Sequence, residues 1–264
     1  MSNDINQDIA KELVAQTAGK TYDDLAHPAA QATGQILSFI PRTIRLWFGK
    51  WENWIINGEH TIQKTQLLLN EKLKDIPEEK IVEPEPYVAI PAIQQLSYSF
   101  DSEELRELYA NLLASSMNVD TKYDVHPAFV DIIKQLTPDE AKLLKILPRT
   151  SISYEPLIDL QLNMGAKRGH FAMLRNYTNI GEGVCDVPEN ICSYIDNLDR
   201  LKLIRVLDDI HVMESEKYVP IETNEFLVSI KNKLSIVDGR TVTIKRKSFY
   251  VTEFGLSFIN TCVT

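Results

Sequence analysis

Apolar side chains recur every three or four residues along much of the chain, which is the spacing of one helix face. A capping box at Asp101–Glu104 predicts a helix through Leu113, because its aspartate can accept hydrogen bonds from the first turn and its last glutamate can reach back to the cap. Thr137–Glu140 repeats the device with Pro138 at the first helical position. The sequence therefore predicts two well-defined helices in the middle of the chain, the second ending at Pro148.

The N-terminal part of the chain also predicts helices, and a proline-rich stretch interrupts them. Helical spacing of apolar residues covers the first twenty residues and Gln63–Lys74. Four prolines between Ile76 and Pro91 remove backbone donors and push the residues before them out of the helical region. The stretch is therefore predicted to be an extended connector, with helix resuming around Pro91.

The C-terminal part mixes helical spacing with alternation. Its predicted elements are helices at Glu155–Leu162 and Pro188–Leu201, a strand at Leu203–Val206, and a last helix that begins at Thr252. Alternating apolar residues on both sides of Asp238-Gly239 predict a β-hairpin from Leu234 to Val251. A helix that leads directly into a strand and is followed by a hairpin is typical of a winged helix.

These patterns together predict a mainly α protein, in which an N-terminal helical domain is followed by a winged-helix-like α+β C-terminal domain. The predicted segments are an amphipathic, Trp-rich helical segment (1–75), a Pro-rich connector (76–90), a helical core (91–136) and the winged-helix-like domain (137–264). With 264 residues the chain is long enough to bury a sizeable core.

All three tryptophans lie in one short window with basic neighbours. The candidate membrane- or partner-binding residues of this window are Arg42, Ile44, Arg45, Trp47, Lys50, Trp51 and Trp54. A helix would place the three tryptophans on one face. Such a stripe is typical of a helix in a protein core or a homo-oligomer, because tryptophan buries a large area. A helix at a membrane interface or in a partner's groove can carry the same stripe, so these alternatives stay open behind the core or oligomer interpretation.

The predicted hairpin carries the densest group of basic residues in the sequence, Arg240 with Lys245, Arg246 and Lys247. In a winged helix such residues would contact phosphates, whereas on a solvated strand edge they would block pairing between sheets. The predicted helix Pro188–Leu201 carries more carboxylates than cations, which opposes contact with phosphates. Nucleic-acid binding is therefore an alternative that the sequence does not favour.

Overall charge and composition narrow the class of protein. The formal net charge is −9 and the pI is about 5.1, which excludes a protein that coats nucleic acid through bulk charge. The three cysteines have no metal-type spacing, as expected for reduced thiols of a cytosolic protein. We expect a cytoplasmic protein, with peripheral contact at the inner membrane face as the variant that the Trp-rich window would allow.

No complete catalytic or metal-binding motif occurs in the sequence. The five histidines are scattered without paired-ligand spacing, and Gly165–Gly169 lacks both the spacing and the adjacent Lys-Ser/Thr pair of a phosphate-binding loop. No GxSxG elbow is present. The sequence therefore predicts no catalytic residue, no metal and no cofactor.

Three blocks of sequence carry a resemblance to a known family: LRELYANLLASSM (105–117), VHPAFVDIIKQLTPDEAKLL (125–144) and NLDRLKLI (197–204). They resemble the abortive infection alpha family of bacterial phage-defence proteins, and similar wording extends from YDDLAHPAAQATG to TEFGLSFI. The resemblance implies antiviral defence through dormancy or death of the infected cell, often from prophage or other mobile elements. It implies no catalytic residue. Lys202 departs from the family, which favours glycine there, so the geometry of that turn is open.

These observations predict a non-enzymatic antiphage protein that engages a membrane surface or an unknown protein partner, with a homo-oligomer as a further option. The alternative is a winged-helix regulator that binds nucleic acid. An abortive-infection ribonuclease is favoured least. Arg205 and His211 have the spacing of an Arg–His ribonuclease pair, but the carboxylates of Asp208 and Asp209 lie between them and would repel RNA.

Overall fold

The computed structural model describes residues 40–42, 44, 59–96, 102–163, 169–235 and 241–263. The chain divides into two compact units, Met1–Ile81 and Val82–Thr264. The division falls within the stretch predicted to be a Pro-rich connector. The second unit contains both segments that were predicted as a helical core and a C-terminal domain.

In the first unit, helix α1 spans Glu59–Leu73, which confirms the predicted helix at Gln63–Lys74. Its buried side chains include Leu69 and Leu73, one turn apart on the same face. Ile40 and Ile44 are also buried in this unit, whereas Arg42 between them is exposed. The described residues of the first unit therefore include both buried apolar and exposed charged side chains.

The second unit combines helices with one antiparallel sheet. Its described helices are α2 (Pro86–Leu96), α3 (Glu103–Ser116), α4 (Ala128–Lys134), α5 (Pro138–Ile146), α6 (Ile191–Arg200), α7 (Val219–Glu222), α8 (Glu225–Ser235) and α9 (Glu253–Cys262). Its described strands are β1 (Glu155–Asn163), β2 (His170–Tyr177), β3 (Ile204–Leu207) and β4 (Thr241–Val251), in the order β2-β1-β4-β3. The mainly α prediction with a C-terminal β component is confirmed.

Helix α3 is the central element of the helical part, because it contacts α2, α4, α5 and α9. Seven consecutive residues, from Leu108 to Ala114, are all buried. Asn111 donates to the carbonyl of Cys262 at 2.7 Å, and Ser115 donates to the carbonyl of Thr261 at 3.0 Å. Both carbonyls belong to the last turn of α9, where helix carbonyls lack partners within the helix. The C-terminal helix is thus fixed to the middle of the core.

Two predicted boundaries differ from the structure by a few residues. Helix α2 begins at Pro86, not around Pro91, because proline is well suited to the first helical position. Pro91 lies inside α2 and removes one internal hydrogen bond. The cap of α3 is Ser102, whose hydroxyl accepts from the amide of Leu105 at 3.2 Å, whereas the prediction assigned the cap to the preceding aspartate. The capping box at Thr137–Glu140 is confirmed.

Two predicted elements are wrong in type. The segment predicted as a helix at Glu155–Leu162 is strand β1, and its alternation of Leu160, Gln161 and Leu162 is the pattern of a strand. The predicted hairpin does not form, because Leu234 belongs to helix α8. Strand β4 instead pairs with β1 and β3, both distant in sequence.

The turn between α6 and β3 holds Lys202 in a conformation that favours glycine, the residue that the resemblance implies at this position. This residue has φ = +63°, in the left-handed region that glycine enters without strain. The amide of Leu203 donates to the carbonyl of Leu198 at 3.0 Å, which is the hydrogen bond of a Schellman motif, in which a residue with left-handed φ ends a right-handed helix.

Replacing Lys202 with glycine is expected to stabilise the protein by about 0.5–1 kcal/mol, because glycine relieves the strain of the left-handed conformation. Thermal and urea unfolding measure the change. Lys202→Ala is the matched control, since alanine has a Cβ and gains nothing there. Equal stability of the two variants would contradict the strain argument.

Candidate ligand-binding cleft

Several charged residues of the sheet lie on one of its faces. Residues directly opposite one another in antiparallel strands point to the same face, and neighbours along a strand point to opposite faces. Asp159 pairs with Lys245, and Leu157 pairs with Lys247. Asp159, Lys245 and Lys247 therefore share a face, and Arg246 lies on the other.

A cleft of about 500 Å³ opens on this face. Its lining residues are Asp159, Gln161, His170, Ala172, Arg175, Asn176, Asp199, Arg205, Val206, Asp208, Lys245 and Lys247. All four strands contribute, and helix α6, which contacts the edge strands β2 and β3, adds Asp199. Ten of the twelve lining residues are polar or charged, so the cleft suits a polar ligand.

Lys247 anchors the floor of the cleft and is only 3% exposed. Its Nζ lies 2.6 Å from Asp208 Oδ1, 3.3 Å from Asp159 Oδ1 and 2.5 Å from Asn176 Oδ1. The hydrogen bond from Lys247 lowers the pKa of Asp208, and it outweighs the opposite effect of burial. Because Asp159 is also buried, the ammonium and this carboxylate neutralise each other away from solvent.

Asn176 lies at a bulge in strand β2, which forms one wall of the cleft. The register between β1 and β2 shifts twice, which is the sign of bulges, and Asn176 has φ = +55°. Asparagine enters this region more readily than most residues. Its amide N donates to Asp159 at 2.9 Å, and its side-chain nitrogen donates to Asp196 of α6 at 2.7 Å. The bulge thereby links the sheet to α6 and orients Arg175, the preceding residue, toward the cleft.

Two arginines in the cleft have no hydrogen-bonded partner within the described part of the chain. Arg205 on β3 forms neither a hydrogen bond nor an ion pair through its guanidinium there, and Arg175 has only a longer-range interaction with Asp208. Both side chains are exposed. In contrast, the cleft carboxylates are engaged: Asp199 accepts from the amide of Val206 at 3.0 Å. The hydrogen-bond donors of these two guanidinium groups are therefore available to a ligand.

The structure separates the basic group that the sequence predicted for nucleic-acid contact. Lys247 is buried, and Lys245 lies 3.4 Å from Asp209 in the same region. Arg246 points to the other face, where its Nε lies 2.7 Å from Glu222 and its guanidinium stacks 4.8 Å from the ring centre of Tyr218. Arg240 lies outside the described residues. Each of the three described cations thus has a carboxylate partner in the protein.

The other candidate residues of the sequence have different locations. Arg42 is exposed and Ile44 is fully buried in the first unit. The remaining candidates of that window lie outside the described residues: Arg45, Trp47, Lys50, Trp51 and Trp54. Arg205 lines the cleft, but it lies on a strand and His211 is not among the lining residues. The histidine that shares the cleft with Arg205 is His170.

The cysteines described by the structure are free thiols. Burial is the main cause that raises the pKa of Cys185 and of Cys192 to about 11. Since the thiolate is the reactive form, both are weak nucleophiles near neutral pH. Within the described residues, no group of three or more His, Cys, Asp and Glu side chains is placed to hold a metal ion. No described helix is long and apolar enough to cross a membrane.

Sequence reasoning did not find Asp159, Arg175, Asn176 or Asp208 as members of one site. One signal was available: Asp159 interrupts the apolar run of β1, and a carboxylate in such a run indicates a buried partner. Its partner Lys247 is 88 residues away in sequence. Only the pairing of β1 with β4 brings them together.

Residues 57–262 match the family model described as abortive infection alpha. The chain belongs to the abortive infection alpha family. The match covers most of the chain and includes every residue of the cleft, while Trp47, Trp51 and Trp54 precede it. Membership in the abortive infection alpha family associates the chain with abortive-infection defence. No curated protein and no solved structure matches the chain.

Proposed function

We propose that this chain is an abortive-infection defence protein that acts by non-covalent binding and not by catalysis. In this proposal the cleft takes a small anionic ligand, and the Trp-rich window engages a protein partner or a membrane surface. The cleft is assigned the ligand because it lies within the residues that match the family.

The observation that carries the proposal is the contrast between engaged carboxylates and unengaged guanidinium groups. A general base is most effective when its pKa lies near the working pH, but the hydrogen bond from Lys247 lowers the pKa of Asp208 away from that range. Arg175 and Arg205 instead present donors that nothing in the described chain uses in a hydrogen bond. Such a pair of guanidinium groups binds anions, since their planar donors match the oxygens of carboxylates and phosphates.

If the cleft is required for defence, Arg175→Gln/Arg205→Gln should abolish protection of a phage-infected culture while the protein stays folded. Both side chains are exposed and make no internal hydrogen bond, so their loss removes ligand contacts and not stability. The measurement is the efficiency of plating on cells that express each variant at equal level.

The matched control for this assay is Lys134→Gln/Arg149→Gln, which removes two exposed cations outside the cleft. The control should protect as well as the unmodified protein. Equal protection by the cleft variant and the control would contradict a role of the cleft in defence.

The Trp-rich window is proposed to contact protein in preference to lipid. Ile40, Ile44, Trp47, Trp51 and Trp54 are spaced by four and three residues in alternation, which in a helix makes one apolar stripe. The two members that the structure describes are buried, at 1% and 0% exposure. This supports a stripe that is covered by protein, either within the chain, in a homo-oligomer or by a partner.

We therefore expect the tryptophan fluorescence to be blue-shifted in buffer and unchanged by anionic vesicles. All three tryptophans lie in this window, so the signal has one origin. Light scattering over a range of concentrations distinguishes a covered stripe in a monomer from one in an oligomer. A further blue shift on addition of vesicles would contradict the proposal and assign the window to a membrane interface.

The alternative of a winged-helix nucleic-acid regulator has less support. Helix α6 followed by β3 is the arrangement that favours it. The ion pairs of Arg246 and Lys247 oppose it, because each of these two cations already has a carboxylate neighbour. A gel-shift assay at low salt tests it directly, since phosphate-driven binding is strongest there.

A further inference from the structure

We propose that the cleft binds a phosphorylated sugar, either free or as the sugar-phosphate part of a nucleotide. The inference rests on the proposed binding function and names the chemical class of the ligand. It follows from three properties of the lining: where the free donors lie, where the free acceptors lie, and what the lining lacks.

The free donors form a site for one phosphate group. Arg175 and Arg205 come from β2 and β3, the two edge strands, and both line the cleft, although the pairing of Arg205 with Tyr250 places Arg205 at the edge of the cleft and not on the face of Lys247. Lys245 lies between them on β4. Its partner Asp209 is 94% exposed at 3.4 Å, and an ion pair so exposed contributes little and exchanges readily. A phosphate can therefore take donors from both walls and from the floor.

The free acceptors suit hydroxyl groups. Asp199 and Asp208 each use Oδ1 for an internal partner, and within the described residues their second oxygens accept no hydrogen bond. The amide of Gln161, on the same face, has no partner there either. The two carboxylates can accept hydrogen bonds from the hydroxyls of a sugar, and the amide can both accept from them and donate to them.

The rest of the lining argues against a lipid or a polymer as the recognised group and offers little surface for stacking a nucleobase. The lining residues include no Phe, Tyr or Trp, His170 is the one aromatic ring among them, and only Ala172 and Val206 are apolar. Four cationic side chains face three carboxylates, which leaves a surplus of one positive charge, apart from His170. This surplus attracts a single phosphate group, which carries a charge of about −1.5 to −2 near neutral pH, whereas the successive phosphates of a polymer would also meet the carboxylates.

Isothermal titration calorimetry of the full chain tests the assignment with five probes: ribose 5-phosphate, AMP, ribose, inorganic phosphate and a short single-stranded RNA. We expect ribose 5-phosphate and AMP to bind at least about tenfold more tightly than ribose or phosphate alone, since each part contributes charge-assisted or neutral hydrogen bonds. AMP binding more tightly than ribose 5-phosphate would identify a nucleotide as the source. Equal affinities would identify a free sugar phosphate.

Arg205→Gln should weaken ribose 5-phosphate binding at least about tenfold, because a hydrogen bond to a charged group is worth more than about 1.4 kcal/mol. Arg149→Gln, an exposed arginine outside the cleft, should leave the affinity unchanged. Equal thermal unfolding of both variants and the unmodified chain shows that the fold is intact. Binding that Arg205→Gln does not weaken would place the probe elsewhere and overturn the proposal.

The outcomes separate the ligand class from the proposed function. If neither phosphorylated probe binds, or if RNA binds more tightly than both, the ligand class is wrong. The function would still stand if the double arginine variant loses phage protection. If the probes bind through Arg205 but that variant protects normally, the ligand class stands and the role of the cleft in defence is wrong.

Discussion

Gly255→Ala is expected to destabilise the protein by about 3 kcal/mol or more and to lower its midpoint of thermal unfolding by roughly 6–12 °C. A Cβ at this position would lie 1.9 Å from the carbonyl oxygen of Leu203 and 2.7 Å from its carbonyl carbon. Both are backbone atoms, so no side-chain rotation can relieve the overlap. The measurement is thermal or chemical unfolding followed by circular dichroism.

The backbone of Leu203 cannot move away easily because the first turn of α9 is bonded to it. The amide of Thr252 donates to the carbonyl of Leu203 at 3.1 Å, and the hydroxyl of Thr252 donates to the carbonyl of Lys202 at 2.6 Å. The same hydroxyl accepts from the amide of Gly255 at 2.9 Å. The N-terminus of α9 and the α6–β3 turn therefore form one corner, and a methyl group would separate them.

Asn260→Ala in the same helix is the control, since Asn260 is exposed and its replacement should change stability by no more than about 0.5 kcal/mol. The sign of the glycine effect is itself informative. At an ordinary helical position Gly→Ala stabilises by about 1 kcal/mol. A Gly255→Ala variant with a higher unfolding temperature would show that the close contact with Leu203 is absent.

Sequence signals that act within one turn of a helix gave correct predictions. The capping box at Thr137–Glu140 contains its own donors and acceptors, and the structure has both of its hydrogen bonds. The pattern of α6 and its passage into β3 was also predicted, because the apolar face and the strand are adjacent in sequence. The left-handed residue Lys202 was indicated only by its departure from the family.

The sheet and the cleft depend on pairing between distant segments, which a local pattern does not encode. Strand β1 is short and apolar, so its alternation could be mistaken for helical spacing. Because β1 was predicted as a helix and β4 as half of a hairpin, the sequence did not predict that Asp159 and Lys247 lie close together. The basic run from Lys245 to Lys247 then looked like a surface cluster. The pairing of β1 with β4 places Lys247 beside Asp159 in a buried ion pair, and it places Lys245 and Lys247 in the floor of the cleft.

Lys247→Met is expected to destabilise the protein by about 3–5 kcal/mol, because removing one partner leaves the buried carboxylate of Asp159 without its counter-charge. The methionine fills a similar volume, so the loss measures the charge and not a cavity. Urea unfolding at neutral pH gives the free-energy change. Lys245→Met is the matched control: its carboxylate partner Asp209 is almost fully exposed, and the loss should stay below about 1 kcal/mol.

A second substitution separates the buried pair from the other contacts of Lys247. Asp159→Asn removes the stranded charge while its side-chain oxygen can still accept from the amide of Asn176. In the Lys247→Met background it should therefore recover part of the lost stability, whereas alone it should destabilise the protein. The coupling between the two positions should exceed about 1 kcal/mol, as expected for residues in direct contact. Additive effects would mean that Asp208 and Asn176, and not Asp159, account for the contribution of Lys247 to stability.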